Sequence, residues 1–152
     1  MITTRRNAFG ALLSMLLVSA AAFAVTTQAR AQDKDHPQGE HFMKCAKATA
    51  DCQLRCDSCF KHCLTLTADG KKEHAKTAQF CADCAECCKA CSTLCARQSP
   101  LAKHMLECTV KCCDDCAAAC EKSPDDKHMA ACAKSCRDCA KECRAMIKHM
   151  AH

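Results

Sequence analysis

Apolar positions along the chain fall into two regimes. Between Phe9 and Val25 they run almost unbroken, and from about residue 40 onward they recur every three or four residues among charged ones. The second regime has the period of a helix, but the residue filling its apolar slots is cysteine. Cys45, Cys52, Cys56, Cys59 and Cys63 step by 7, 4, 3 and 4. Met129, Cys132, Cys136, Cys139, Cys143, Met146 and Met150 step by 3, 4, 3, 4, 3 and 4, a heptad stripe of the kind that ordinarily holds Leu and Ile. Between them, Cys81, Cys84, Cys87, Cys88, Cys91 and Cys95 fall within an arc of roughly 120° at helical twist. Cys108, Cys112, Cys113, Cys116 and Cys120 fall within roughly 140°, and Cys87 and Cys113 sit at the edges of their arcs.

Three breaks punctuate the pattern: Ala68-Asp69-Gly70, Gln98-Ser99-Pro100 and Lys122-Ser123-Pro124. Asp-Gly is a helix stop, and Ser-Pro is a cap followed by proline at the first helical position. The segments between are rich in Ala, Lys, Glu and Leu, all good helix formers. The pattern predicts helices near 40–67, 72–97, 100–121 and 124–150, behind a flexible leader at 32–39. Short links between long helices give antiparallel neighbours. The expected fold is therefore all-α, an up-down-up-down four-helix bundle over 40–152 with a cysteine-lined core.

The first 31 residues read as an address. Arg5–Arg6 precede the apolar run, and Ala29-Arg30-Ala31 gives the small-x-small pattern of a cleavage site. The run is too short for a comfortable membrane span. The paired arginines resemble a twin-arginine export signal, with Ala8 where that motif usually has Phe; a Sec signal is the plainer alternative. Either way the expectation is an exported, periplasmic protein whose remaining chain, from residue 32, has no membrane span. Arg5, Arg6 and Arg30 account for most of the net charge of +5. No basic run interleaved with aromatics is left to suggest nucleic acid.

Composition sharpens one point. There are 20 Cys among 152 residues, with 3 Gly, 3 Pro, 5 Phe and neither Trp nor Tyr. So few turn residues argue against a β sandwich or barrel. Beyond residue 31 the large aliphatic residues are Leu54, Leu64, Leu66, Leu94, Leu101, Leu106, Val110 and Ile147, joined by Phe42, Phe60 and Phe80. That inventory hardly offsets backbone ordering at about 1–2 kcal/mol per residue. Thiols act as small hydrophobes, yet a core of them needs filling.

Several fillings compete. Disulfides suit i,i+4 partners poorly, because their Cβ atoms lie about 5–6 Å apart and a disulfide wants about 3.5–4.5 Å. Between helices they fit, as in twin C-x3-C hairpins with Cys52/Cys56 facing Cys84/Cys88. Cys81-x2-Cys84-x2-Cys87-x3-Cys91 matches a bacterial iron–sulfur run, but Ser92 replaces the usual proline and no glycine-rich loop wraps a cluster. Zinc prefers four ligands converging from turns. Cu(I) is soft, takes thiolate and thioether, and accepts two or three ligands, so a C-x3-C pair on one helix suits it best. Such pairs overlap, as in Cys84/Cys88, Cys87/Cys91 and Cys91/Cys95, which implies bridging thiolates. Separate pairs would each bury a negative charge, whereas one ion per thiolate is neutral. The expected capacity is on the order of 10–20 Cu(I) per chain, nearer the top. A disulfide-stapled bundle and a zinc or other soft-metal thiolate protein stay open as alternatives.

Four consecutive helices each carrying inward C-x3-C pairs, behind an export signal, resemble the bacterial copper storage proteins over about residues 40–150. The resemblance implies a Cu(I) store without catalytic turnover, and a homotetramer of bundles. It also implies a recipient copper enzyme such as a membrane methane monooxygenase. Twenty Cys is a high load for the exported branch.

Antiparallel order gathers His41, Met43, Met105, Met146 and Met150 at one end, with Met43 turned away from the cysteine face. That end is the expected mouth, where Cu(I) passes from thioether to thiolate; the plainer reading of those methionines is core filling. His62, His74, His104 and His149 fall off the stripes and read as surface. No Ser/His/Asp or Cys/His/Asn set is present. Asp114–Asp115 read as a solvated face and Asp125–Asp126 as a helix start, so no enzyme is expected.

Overall fold

The computed structural model describes residues 37–151; the expected export signal at 1–31 and residues 32–36 of the expected leader lie outside that range, and 37–39 of that leader are already helical. Four helices follow one another: α1 (Pro37–Ala68), α2 (His74–Ala96), α3 (Ala102–Cys120) and α4 (Lys127–His149). Each packs against its two neighbours in a closed ring, α1–α2–α3–α4–α1, and no backbone contact crosses a diagonal. This is the expected up-down-up-down bundle. None of the four helices is long and apolar enough to cross a membrane.

Small side chains let the ring close tightly. The buried residues are overwhelmingly Cys and Ala, with Leu106 and Met129 the largest fully buried side chains. Thr49, Thr77 and Thr109 are the buried polar residues among those described. Thr49 returns its hydroxyl to the carbonyls of Cys45 and Ala46, each at 3.0 Å. Thr109 donates to the Met105 carbonyl at 2.8 Å and lies 3.4 Å from that of Cys87. Among the described residues no buried side-chain nitrogen or oxygen lacks a partner.

The ends follow local chemistry. After α1, Gly70 adopts φ +91°, and its N–H and that of Lys71 bond back to Thr67 and Leu66 at 3.1 and 3.0 Å. This double return is the usual glycine-terminated helix end. After α2 the same pair of bonds forms from Gln98 to Cys95 and from Ser99 to Leu94, both at 2.9 Å. Here Gln98 takes the left-handed conformation at φ 49°. Ser123-Pro124 does not open α4 as expected. Asp126 is its cap, accepting from the N–H groups of His128 and Met129 at 2.9 and 3.0 Å, so the helix starts at 127 rather than 124. Partial burial pushes the Asp126 carboxyl up, but the His62 ring and these two amides outweigh it and hold it below its usual range.

Asp114 is more than a solvated acid. Arg137 reaches it at 3.2 Å and Glu121 at 2.8 Å, and Arg144 also grips Asp114, so an ionic clasp joins α3 to α4.

Candidate metal centre

Every cysteine is a free thiol. Those of α1 and α4 all point inward: Cys45, Cys52, Cys56, Cys59 and Cys63 from one, Cys132, Cys136, Cys139 and Cys143 from the other, each at most 2% exposed. From α2 come Cys81, Cys84, Cys88, Cys91 and Cys95, and from α3 come Cys113, Cys116 and Cys120, all fully buried.

Eleven of the buried sulfurs form a ladder of overlapping quartets. Cys52, Cys84, Cys88 and Cys113 make one; Cys52, Cys56, Cys84 and Cys136 the next; Cys56, Cys116, Cys132 and Cys136 a third; Cys59, Cys81, Cys120 and Cys132 a fourth. Within each, all sulfurs lie within 4.8 Å of one another. Successive quartets share members, so the ladder is continuous along the axis. The fourth draws one thiol from each helix. Cys59 and Cys120 meet at 3.9 Å across the diagonal between α1 and α3, helices whose backbones do not touch.

These spacings suit metal bridging. A metal–thiolate bond of about 2.3 Å puts the sulfurs of a three-coordinate ion about 4.0 Å apart, and those of a linear ion about 4.6 Å apart. Observed separations include 3.6 Å for Cys56–Cys136, 3.6 Å for Cys84–Cys113, 3.7 Å for Cys81–Cys116 and 3.9 Å for Cys52–Cys136. Small rotamer changes admit an ion. Four thiols could also surround zinc. Among fillings of the whole set, Cu(I) at one per thiolate is the one that leaves no surplus charge buried.

Most thiols of the core are shifted toward the protonated form. Hydrogen bonds with Cys113, Cys116, Cys132 and Cys52, and then burial, push the Cys136 thiol far above the ordinary range. Burial is the leading influence raising Cys63 and Cys87. Cys132 goes the other way, because Cys116, Cys120, Cys136 and Cys56 all favour its thiolate. Cys52, Cys84, Cys91 and Cys120 are likewise drawn down.

Three cysteines expected in the core are outside it. Cys108 is exposed and Cys87 and Cys112 are half-buried. Cys87 sits at the edge of the α2 arc, and for Cys108 and Cys112 the reason is the width of the α3 arc. Cys113, at its edge, turns fully inward, which rotates Cys112 and Cys108 out to the α2–α3 seam beside Cys87. The sequence carried the signal in its two Cys-Cys dipeptides, Cys87–Cys88 and Cys112–Cys113, since adjacent helical residues cannot share one face.

At the end where α1 begins and α4 finishes, Met146 is buried, and Met105 and Met150 pack partly buried against the core. Met43 is 56% exposed and lies away from the core, in a groove between α1 and α2. A pocket of about 140 Å³ lined by His41, Lys44, Cys45, Glu142 and Met146 opens here onto the first thiols, where Cys45 and Cys143 stand 4.0 Å apart. The rings of His41 and His149 lie 4.1 Å apart. His149 is exposed as expected and meets His41 at the rim of this end. His62 is also engaged: it stacks on His128 at 4.7 Å and bonds Asp126 at 2.7 Å. His74 is half-buried, whereas His104 and His149 are exposed as expected.

A bundle whose axis is a continuous ladder of free thiols is a vessel for soft metal ions. The chain belongs to the copper storage protein family, whose profile (Csp: Copper storage protein) matches residues 19–148. It is a non-enzymatic protein that binds multiple Cu(I) ions through its core cysteines. Among solved structures it is similar to the Cu(I)-bound copper storage protein BsCsp3, with 29% identity and a TM-score of 0.65, over 70% of this chain and 98% of that one. It shares its fold with a cytosolic copper storage protein from Streptomyces lividans holding five coppers, at 23% identity and a TM-score of 0.64, over 72% and 93% of the two chains. Ccsp from Streptomyces lividans, loaded with 10 copper equivalents, matches at 22% identity and a TM-score of 0.66, over 76% and 94%. No curated protein matches the chain.

Proposed function

We propose that the buried thiols, both those of the quartet ladder and those beyond it from Cys45 to Cys63 along α1, hold on the order of 10–20 Cu(I) as bridged thiolates. The observation that carries this is the sharing of cysteines between consecutive quartets. The stored copper serves later supply to copper enzymes or protection of the cell. An anaerobic Cu(I) titration of the reduced protein against a competing chromogenic chelator tests it, with a free-thiol count alongside. Saturation well above four ions per chain is expected; saturation at one or two would make the protein a carrier instead.

The end bearing Met105, Met146, Met150 and His41 is the mouth in this reading, supported by the pocket that reaches Cys45. Met43 takes no part. Export to the periplasm rests on Arg5–Arg6, the apolar run and Ala29-Arg30-Ala31. Recovery from the periplasmic fraction with Gln32 as the first residue is the expected result, and an uncleaved cytoplasmic protein would reject it. The resemblance extends the proposal to a homotetramer of bundles, and to a copper enzyme such as a membrane methane monooxygenase as recipient.

A further inference from the structure

The three thiols outside the core are not scattered. Cys87, Cys108 and Cys112 converge at the α2–α3 seam with all three sulfurs within 4.8 Å of one another. Cys87 stands 3.1 Å from Cys112 and 3.9 Å from Cys108. None of them belongs to a core quartet. Their sequence neighbours Cys88 and Cys113 do, and those two meet at 3.8 Å on the inner side of the same seam. Each Cys-Cys dipeptide therefore gives one sulfur to the ladder and one to the outside.

We propose that Cys87, Cys108 and Cys112 form a second, solvent-reachable site that binds a single Cu(I) through three thiolates. The inference rests on the reading that the protein takes Cu(I). Three sulfurs suit a three-coordinate ion, which spaces its ligands about 4.0 Å apart at a bond length of about 2.3 Å. The Cys87–Cys108 separation is already there, and Cys112 has only to open from 3.1 Å. No fourth His, Cys, Asp or Glu among the described residues joins the group, so a four-coordinate zinc ion would need water as its fourth ligand, whereas three-coordinate Cu(I) needs none. Exposure also changes the electrostatics. Three thiolates around one Cu(I) carry net negative charge, which water tolerates at a seam with Cys108 exposed and a sealed core would not. The same exposure lets an incoming thiol or chelator reach the ion directly, so this copper exchanges faster than copper in the ladder.

The test is anaerobic release of Cu(I) from the loaded full chain to an excess of a bidentate chromogenic chelator. The native protein is expected to give up about one ion per chain in a fast phase, ahead of the remainder. The Cys87→Ser/Cys108→Ser/Cys112→Ser variant is expected to lose that phase, saturate about one ion lower, and keep the slow phase. Cys108→Ser alone changes an exposed position, so folding is not at stake; it should weaken the fast-exchanging ion roughly tenfold. A triple variant that loads and releases like the native protein overturns the proposal. So does a Cys87–Cys112 disulfide that persists in the reduced, Cu(I)-loaded protein by intact mass. Failure of the storage reading looks different: the slow phase would be missing while the fast one persisted.

Discussion

A thioether and an isobutyl group fill nearly the same space, and this separates packing from chemistry at the mouth. Met146 is 3% exposed, and Met105 and Met150 rest half-buried on the core. Leucine at these positions conserves volume and apolar character, so each exchange should change stability by less than about 1.5 kcal/mol. What leucine lacks is a soft donor for Cu(I). The variant Met105→Leu/Met146→Leu/Met150→Leu is expected to load roughly tenfold more slowly while keeping its full capacity. Stopped-flow transfer from a Cu(I)–chelator complex measures this. An unchanged rate would return the methionines to plain core filling. Residue-scale geometry also marks the limit of periodicity as a guide. The stripe gave the correct face for the buried cysteines, yet it could not tell inward from seam-facing across the wide α3 arc. There the fate of Cys108 and Cys112 depended on how far α3 rolls, which packing sets.

The elements were legible because two independent signals coincide. Period and punctuation both mark four helices, and the observed spans differ from the expected ones by at most three residues at any end. Where punctuation is specific, the end is right: Asp69-Gly70 stops α1 through the left-handed glycine. Ser123-Pro124 misleads because a better cap lies two residues on. Asp126 offers a carboxylate to two backbone amides, which outcompetes a Ser-Pro start. Gln98 could not have been anticipated. Its left-handed backbone costs of order 1 kcal/mol for a residue with a Cβ, and the two hydrogen bonds that close α2 hold it there. The clasp of Arg137 and Arg144 on Asp114 was equally hidden. It depends on the phase between α3 and α4, about which neither sequence segment speaks alone. The alternation of helices places partners; only the assembled ring phases them.

At the scale of the whole molecule, the metal-free vessel loses stability when the thiols it holds protonated are forced to ionise. Unfolded cysteines ionise at about pH 8.5. In the fold, Cys136, Cys81, Cys88, Cys56 and Cys95 are all held well above that by neighbouring thiols and burial. Above about pH 8.5 the unfolded chain has shed protons that the folded chain keeps. Stability must then fall with rising pH, by about 1.4 kcal/mol per pH unit for each such thiol. All five act in the same direction, against a total stability of only about 5–15 kcal/mol for an ordinary domain. The thiols drawn down, such as Cys132 and Cys52, do not offset this, since they are ionised in both states once the pH passes about 8.5. Their contribution is lost in the opposite direction, as pH falls through their folded range. Copper removes the alkaline liability, because a thiolate bound to Cu(I) has already given up its proton and its charge is balanced. Each ion also stabilises the fold by mass action, about 2.7 kcal/mol at a hundredfold excess over its dissociation constant. Thermal unfolding under anaerobic, reducing conditions should show the metal-free protein losing its transition between about pH 8.5 and 10, with the loaded protein almost unchanged. A metal-free protein that melts at the same temperature across that range would mean its thiols ionise inside the fold. The ladder would then be wet and open, and could not be the dry, charge-balanced container that sharing between quartets describes.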